Sequence, residues 1–341
     1  MFLDRYSFRQ IADPRAVREG WERLRNRRGP DFDRTLGQPM VREGLAALHD
    51  GDWDMIGAIY REQAADDRYL WIELMSALWP LRRPLPTGAR RGPALTVAGG
   101  LLVGLAWRHG GTGPAHLPSG TQRAEMVDGL RHARLALEMA RQADGPDVVA
   151  LGFALRAAMG LSDHEGVAAQ TDLLRATAEP CLAADLALLT AWEARWGGSQ
   201  QDMWAVIRDR ERQGPAWIAL DMRGRLEDCV WHEHMSEEPG VAEAHRARRE
   251  DPCYTAEMLQ LQAGALRGLA RDQPRARRLI AHNVIGASMA CLVSWQLAAP
   301  HLEAIGPHLA EGAWAQVEDV SDPARALARL RRRAGLEPLA A

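Results

Sequence analysis

Arg195-Trp196-Gly197-Gly198-Ser199-Gln200-Gln201-Asp202-Met203-Trp204 reads as the end of one helix and the immediate start of the next. The glycine pair stops the first segment, because glycine takes the left-handed conformation that closes a helix without a steric penalty. Ser199 then offers its hydroxyl to the free N–H groups of a new first turn. Upstream, Leu182, Leu186 and Leu189 recur at spacings of three and four, and Trp192 and Trp196 extend the stripe. This pattern predicts one helix over 181–196. Downstream, Met203, Val206 and Ile207 face one way, and Arg208, Asp209 and Glu211 face water. Two abutting amphipathic helices of this kind belong to stacked helical hairpins.

The same punctuation recurs along the chain. Asp50-Gly51-Asp52 breaks one helix and caps the next at Trp53, and Ser162-Asp163 and Ser321-Asp322-Pro323 act alike. Asp251-Pro252 closes the helix carrying Glu243 to Arg249, since the residue before a proline is pushed out of the α region. A further stripe runs through Met258, Leu261, Ala265 and Leu269, widened by Leu259 and Leu266. Between breaks lie segments of about 12 to 20 residues, the length of paired antiparallel helices. No run of alternating β-branched residues is long enough to nucleate a sheet. Pro80 to Pro93 reads as an exposed loop or linker, and a subdivision near 80–93 is conceivable. The piece before it is too small to bury a good core alone, so one continuous array over 31–335 is preferred. An arginine-rich leader occupies 1–30 and a short tail 336–341. A loop over 109–120 separates the apolar helix 94–107 from a long helix over 121–143. Ala98, Gly99, Gly100 and Gly104 in that apolar helix permit close approach of a neighbour.

Composition narrows the chemistry. The 341 residues carry 42 basic and 45 acidic side chains, a net charge of −3, which gives no bulk attraction to nucleic acid or anionic membrane. Every one of the basic residues is arginine. A GC-rich genome accounts for this, yet the absence of lysine removes Schiff-base chemistry and the phosphate-binding lysine of a P-loop. Cys181, Cys229, Cys253 and Cys291 form no C-x-x-C pair and read as buried free thiols of a cytoplasmic protein. The first twenty residues contain no apolar signal segment. The longest apolar run, 94–107, is shorter than the roughly 20 residues that span a bilayer. The expected location is therefore the cytoplasm, with no membrane.

The sharpest chemical candidate is Trp231-His232-Glu233-His234, with Cys229 nearby. On a helix, His232 and His234 lie about 200° apart, so they do not share a metal. Cys229 and Glu233 have i, i+4 spacing, but one thiolate and one carboxylate do not make a site. His301 and His308 share a face only if a helix survives Gly306-Pro307, and His282 reads as packing a helix junction. Gly286-Ala287-Ser288-Met289-Ala290 approaches a nucleophile elbow but lacks the preceding strand, so Ser288 reads as a small residue at a helix crossing. Acidic pairs such as Asp66-Asp67 and Glu237-Glu238 sit at expected helix ends. Arginine tracts at 23–28 and 329–333 read as solvated surface, because acidic residues accompany them.

Twelve tryptophans outnumber the four tyrosines and four phenylalanines together. Any single one is expected to fill a gap between helices. A few lining a concave face, with arginines, would instead clamp a ligand.

Several landmarks in order resemble an uncharacterised bacterial family, common in actinobacteria, with a tetratricopeptide-like fold. They are Leu36-Gly37-Gln38-Pro39, Gly51-Asp52-Trp53, Arg195-Trp196-Gly197-Gly198-Ser199, Ala281-His282-Asn283, Leu302-Glu303-Ala304-Ile305-Gly306, Trp314 and Asp322-Pro323-Ala324. The resemblance covers most of 31–335. It implies an all-α fold, a degenerate tetratricopeptide-like α-α superhelix built as a right-handed solenoid of antiparallel helix pairs. It brings no activity and no catalytic residues.

The expected function is that of a non-enzymatic scaffold that binds a protein or peptide on its concave face, without nucleic acid, metal or cofactor. The groove is expected around Trp192, Trp196, Trp204, Trp217, Trp231, His232 and His234. The alternative is an enzyme or a small-molecule or metal-binding protein of specialised metabolism, with its pocket near Trp204–His234.

Overall fold

The computed structural model describes residues 35–110, 119–210, 213–236, 238–269, 274–315, 317, 318, 320, 322–337 and 339. The leader, with Trp21 and the arginine tract 23–28, lies outside the described residues, as does the side chain of His234. Among those described, there are sixteen α-helices and no strand. They are α1 (Met40–Asp50), α2 (Trp53–Arg61), α3 (Ala65–Leu78), α4 (Gly92–Gly110), α5 (Gly120–Asp144), α6 (Val148–Gly160), α7 (His164–Ala176) and α8 (Leu182–Ala191). They continue as α9 (Gln200–Arg210), α10 (Ile218–Val230), α11 (Val241–Glu250), α12 (Pro252–Leu269), α13 (Arg275–Leu292), α14 (Ala299–Ile305), α15 (Glu311–Trp314) and α16 (Pro323–Arg333). Among the described residues, no helix is long and apolar enough to cross a membrane.

The expected stops and starts are realised in detail. Gly51 closes α1 at φ 72°, and Asp52 caps α2 by accepting from Met55 N at 2.9 Å. Asp163 caps α7 through Gly166 N, and Asp322 caps α16 through Arg325 N, with Pro323 in its first turn. Asp251 is extended and α12 opens on Pro252. The 195–204 joint differs in one respect. The helix expected over 181–196 ends at Ala191, and Ala194–Trp196 form a separate 3-10 turn. The chain doubles back there: Gly198 N donates to Glu193 O, and a Cβ on Gly198 would sit 2.2 Å from Trp192 O. Gly197 has φ 96°, and Ser199 Oγ accepts from Asp202 N at 3.1 Å to start α9.

The apolar helix α4 is buried almost throughout, and its glycines mark its contacts. A Cβ on Gly99 would meet Leu137 of α5, one on Gly100 would meet Ile72 and Phe153, and one on Gly104 would meet Ser76. Helices α2 and α3 pack on α4 across the 80–91 loop. That loop is held by two indoles, Trp53 donating to Thr87 O and Trp79 to Arg83 O.

In an open solenoid each repeat touches only its neighbours. Here α13 packs on α10 and also on α8 and α3, more than two hundred positions earlier in the last case, and α3 packs on α6 and α8. Helices α3, α6, α8, α10 and α13 therefore share one core, with α13 buried over most of its length. Arginine–carboxylate bonds cross these joints. Arg277 of α13 donates to Asp66 of α3 at 2.6 Å and to Pro180 O, while Arg156 of α6 holds Glu73 of α3 at 2.5 Å. Arg275 also donates to Leu36 O, fixing the start of the described chain to α13.

Replacing Gly198 by alanine is expected to destabilise by about 1–3 kcal/mol, because the new methyl meets backbone that cannot move aside. Gly120→Ala, into open space, should not. Urea midpoints of the two variants check this, and equal midpoints would rule out the close approach.

Candidate functional site

Three clusters of chemically active side chains emerge from this core. The first grows from the 195 joint. Arg195 donates from Nε to Glu193 at 2.7 Å and from Nη2 to Glu227 of α10 at 3.0 Å. Arg223, one turn before Glu227, binds both glutamates. Burial, reinforced by the neighbouring Glu227, pushes the Glu193 carboxyl up to about 7. Beside the cluster lies a cleft between α8, α10, α13 and α15, lined by Leu186, Thr190, Arg223 and Ser288 among others. Its empty space is about 370 Å³ including the part open to solvent, but its water-accessible core is only about 30 Å³. That core holds very few water molecules and no organic ligand of ordinary size. Ser288 is 0% exposed and its hydroxyl has no partner among the described residues. It lies mid-helix in α13, without the strand a nucleophile elbow requires.

The second cluster is the histidine–asparagine joint between α13, α14 and α15. Helix α14 ends at Ile305, so His301 and His308 are not on one helix. His301 instead shares a hydrogen bond with His282, Nδ1 to Nδ1 at 3.0 Å. Burial pushes His282 down to about 4 and His301 down to about 3, so both rings are neutral near pH 7. Asn283 Oδ1 accepts from Ala310 N at 2.8 Å and from Trp314 Nε1 at 3.0 Å, and its amide donates to Leu279 O and His308 O. Every contact of this asparagine is structural.

The third cluster lies where α10 runs into a π-helical turn, Trp231–Met235, and the chain returns as α11. Trp204 Nε1 donates to Asp228 at 2.9 Å, and the Trp204 and Tyr254 rings flank Arg225 at 6.0 and 5.9 Å. Glu233 is the hub. It accepts from Arg249 Nε at 2.7 Å and Nη2 at 2.9 Å, from His245 Nδ1 at 3.0 Å and from Cys229 Sγ at 3.5 Å. Burial opposes its ionisation, but the bonds from Arg249 and His245 outweigh that and hold its carboxyl below the usual range. The His232 ring stacks on His245 with centroids 5.3 Å apart. The neighbouring Cys291 thiol of α13 and burial push the Cys229 thiol up, while Cys291 itself is pulled down.

The seven residues expected to line one groove are distributed over these regions. Trp204 and His232 belong to the third cluster. Trp217 is a core residue, covered by Arg277 at 4.9 Å and donating to Asp185 at 2.6 Å. Trp192 donates to Thr171 of α7, and Trp196 packs edge-on against Trp107 of α4. Trp231 is half-buried in the π turn, and the His234 side chain lies outside the described residues. Sequence reasoning passed over His245, Arg249 and Cys291, because they come from α11 and α13 and no spacing rule links them to Cys229. Compared with known protein families, with curated proteins and with solved structures, the chain matches none.

Arg277→Ala leaves Asp66, which is 0% exposed, without its cation, and is expected to cost about 3–5 kcal/mol. Replacing both partners, as Asp66→Asn with Arg277→Met, should cost less than Arg277→Ala alone, as read from denaturant curves. A larger loss in the double variant would contradict a charge-pairing role. The histidine pair sets an acid limit. Both rings titrate below the ordinary 6.5, so between about pH 6.5 and 4 the native state binds fewer protons than the unfolded chain. Their contribution is complete above pH 6.5 and falls with pH by up to about 1.4 kcal/mol per unit for each ring. Asp185, raised to about 6 by burial, acts in the opposite sense, so the test compares variants. His282→Gln should flatten the acid side of the stability profile, and an unchanged slope would refute the assignment.

Proposed function

We propose that the protein is a non-enzymatic helical scaffold that binds a protein partner, and that the contact lies on the outer face of α5. One observation carries this reading. Leu135 is 60% exposed and Met139 is 47% exposed, one turn apart on α5. The opposite stripe of α5, Leu130, Ala133, Leu137 and Ala140, is buried. Large apolar side chains in adjacent turns of a solvent-facing helix gain free energy when a partner covers them. The polar rim around them, Arg134 with Asp163 and Glu138 with Arg141, gives the patch the apolar-centre, charged-border character of an interface.

The interior supports a binding rather than a catalytic task. Its buried carboxylates are held by arginines that also tie helices together, and the core of the cleft beside Ser288 admits only a few waters. We read the shared core of α3, α6, α8, α10 and α13 as one tight turn of a right-handed, tetratricopeptide-like superhelix. In such a turn the inner helices fill the space that a concave groove occupies in an open array, which is why the partner is assigned to an outer face. Nucleic acid and membrane are not assigned as partners, in keeping with the net charge of −3. The alternative reading, a small-molecule or metal site near Trp204–His234, draws on a different place, the convergence of donors on Glu233.

A photoreactive side chain at position 135, compared with one at exposed position 128, tests the scaffold reading in the native host. A single polypeptide is expected to be captured from 135 and not from 128. With that polypeptide purified, Leu135→Asp should weaken binding by about 2 kcal/mol, roughly thirtyfold. Indistinguishable adducts from the two positions, or an unchanged dissociation constant, would sink the idea.

A further inference from the structure

The convergence on Glu233 has the dimensions of a metal-ligand set. A tetrahedral ion with Zn–S of about 2.3 Å and Zn–N and Zn–O of about 2.0–2.2 Å spaces its sulfur and oxygen ligands about 3.6 Å apart and its nitrogen and oxygen ligands about 3.4 Å apart. Cys229 Sγ lies 3.5 Å and His245 Nδ1 lies 3.0 Å from the same oxygen, Glu233 Oε1. All three atoms lie within 4.8 Å of one another. We propose that Cys229, Glu233 and His245 bind a zinc-class divalent cation, with the fourth position left to water. This site is separate from the partner face on α5 and does not depend on it.

Several independent features support the assignment. The donor set mixes thiolate, imidazole and carboxylate, which suits a borderline-soft ion and not magnesium or calcium, which prefer oxygen alone. The Cys229 thiolate and Glu233 carry two negative charges, which attract a divalent ion. Arg249 has a positioning task. Its Nη2 donates to Glu233 Oε2 at 2.9 Å, so that oxygen stays anchored while Oε1 turns to the ion, which displaces the Nε bond. The His232 ring, stacked on His245, orients the imidazole. Glu233 itself projects from a π-helical turn, an energetically poor element that recurs where side chains must be re-aimed at a site. The bound ion would tie α11, which packs chiefly on the π turn and α12, to the end of α10.

The test uses the full-length protein, stripped with a chelator and titrated with zinc in competition with a chromophoric chelator, then with cobalt(II) alone. One zinc per chain is expected, with binding weakened about 100-fold or more in Cys229→Ser and in His245→Gln. Cobalt should give a thiolate-to-metal charge-transfer band that is lost in Cys229→Ser. Circular dichroism checks each variant for folding, and His245→Gln decides if Cys229→Ser unfolds. Zinc affinity no better than that of the folded His245→Gln variant would overturn the proposal. So would a cobalt complex without the charge-transfer band.

Discussion

A carboxylate taken out of water has to be met by a cation or by several donors, and in this chain the only strong cation is arginine. Asp66, Glu73, Asp185, Glu193 and Glu227 are all buried, and each has a guanidinium within salt-bridge distance. The planar fork of arginine lets one side chain serve several groups at once, which an ammonium ion on a flexible stem does less well. Arg277 holds Asp66 and Pro180 O while lying over the Trp217 ring, and Arg195 spans Glu193 and Glu227. Pairs of this sort are weak sources of net stability, because desolvation offsets most of the attraction. Their effect is on choice of arrangement: any packing of the inner helices that leaves one carboxylate unpaired is penalised. Helices α3, α8, α10 and α13 have apolar surfaces that would slide past one another, and the buried charges fix which positions face.

The tryptophans work in the same direction. Among the described residues, the indole N–H groups of Trp53, Trp71, Trp79, Trp192, Trp204, Trp217 and Trp314 each donate to an acceptor on another element or loop. A large ring that fills a gap and also carries a directed bond fixes a helix in rotation as well as in position. This explains why a chain so rich in tryptophan does not line one groove with them. The donors of these seven are already committed to the fold.

Local events were legible in the sequence and distant ones were not. The breaks at Gly51-Asp52, Ser162-Asp163, Asp251-Pro252 and Asp322-Pro323 are set by backbone chemistry within a few residues, and each appears where the pattern places it. The apolar helix α4 and its small residues were equally readable, since a helix so poor in polar side chains must be covered on all faces. The shared core of α3 and α13 was invisible, because nothing near Asp66 indicates that its partner is Arg277. The early stop of α8 was missed for a related reason. Trp192 and Trp196 fit the helical period, but Glu193 and Arg195 are drawn toward Glu227 and Arg223, and tertiary pairing overrode the period. In the candidate metal site the i, i+4 pair Cys229 and Glu233 is legible in the sequence, and its third member is not. His245 reaches it only because the chain reverses between the π turn and α11.

The short motifs around Asn283 and Gly198 acquire a physical meaning from the same bonds. Asn283 accepts from Trp314 and Ala310, so Ala281-His282-Asn283 and the later tryptophan are two halves of one junction. Gly198 faces the carbonyl of Trp192, and Arg195 reaches α10, so the 195–204 stretch carries both the reversal of the chain and the charge that fixes its neighbour. The landmarks Gly51-Asp52-Trp53 and 195–199 sit where a helix end is capped and also bonded to a remote element. Such positions tolerate little change for reasons of folding alone, and they carry no sign of catalysis. Function is better sought where polar groups exceed what folding uses, and the corner at Glu233 is such a place. A single hairpin end there has collected a carboxylate, a thiol, two imidazoles and a guanidinium.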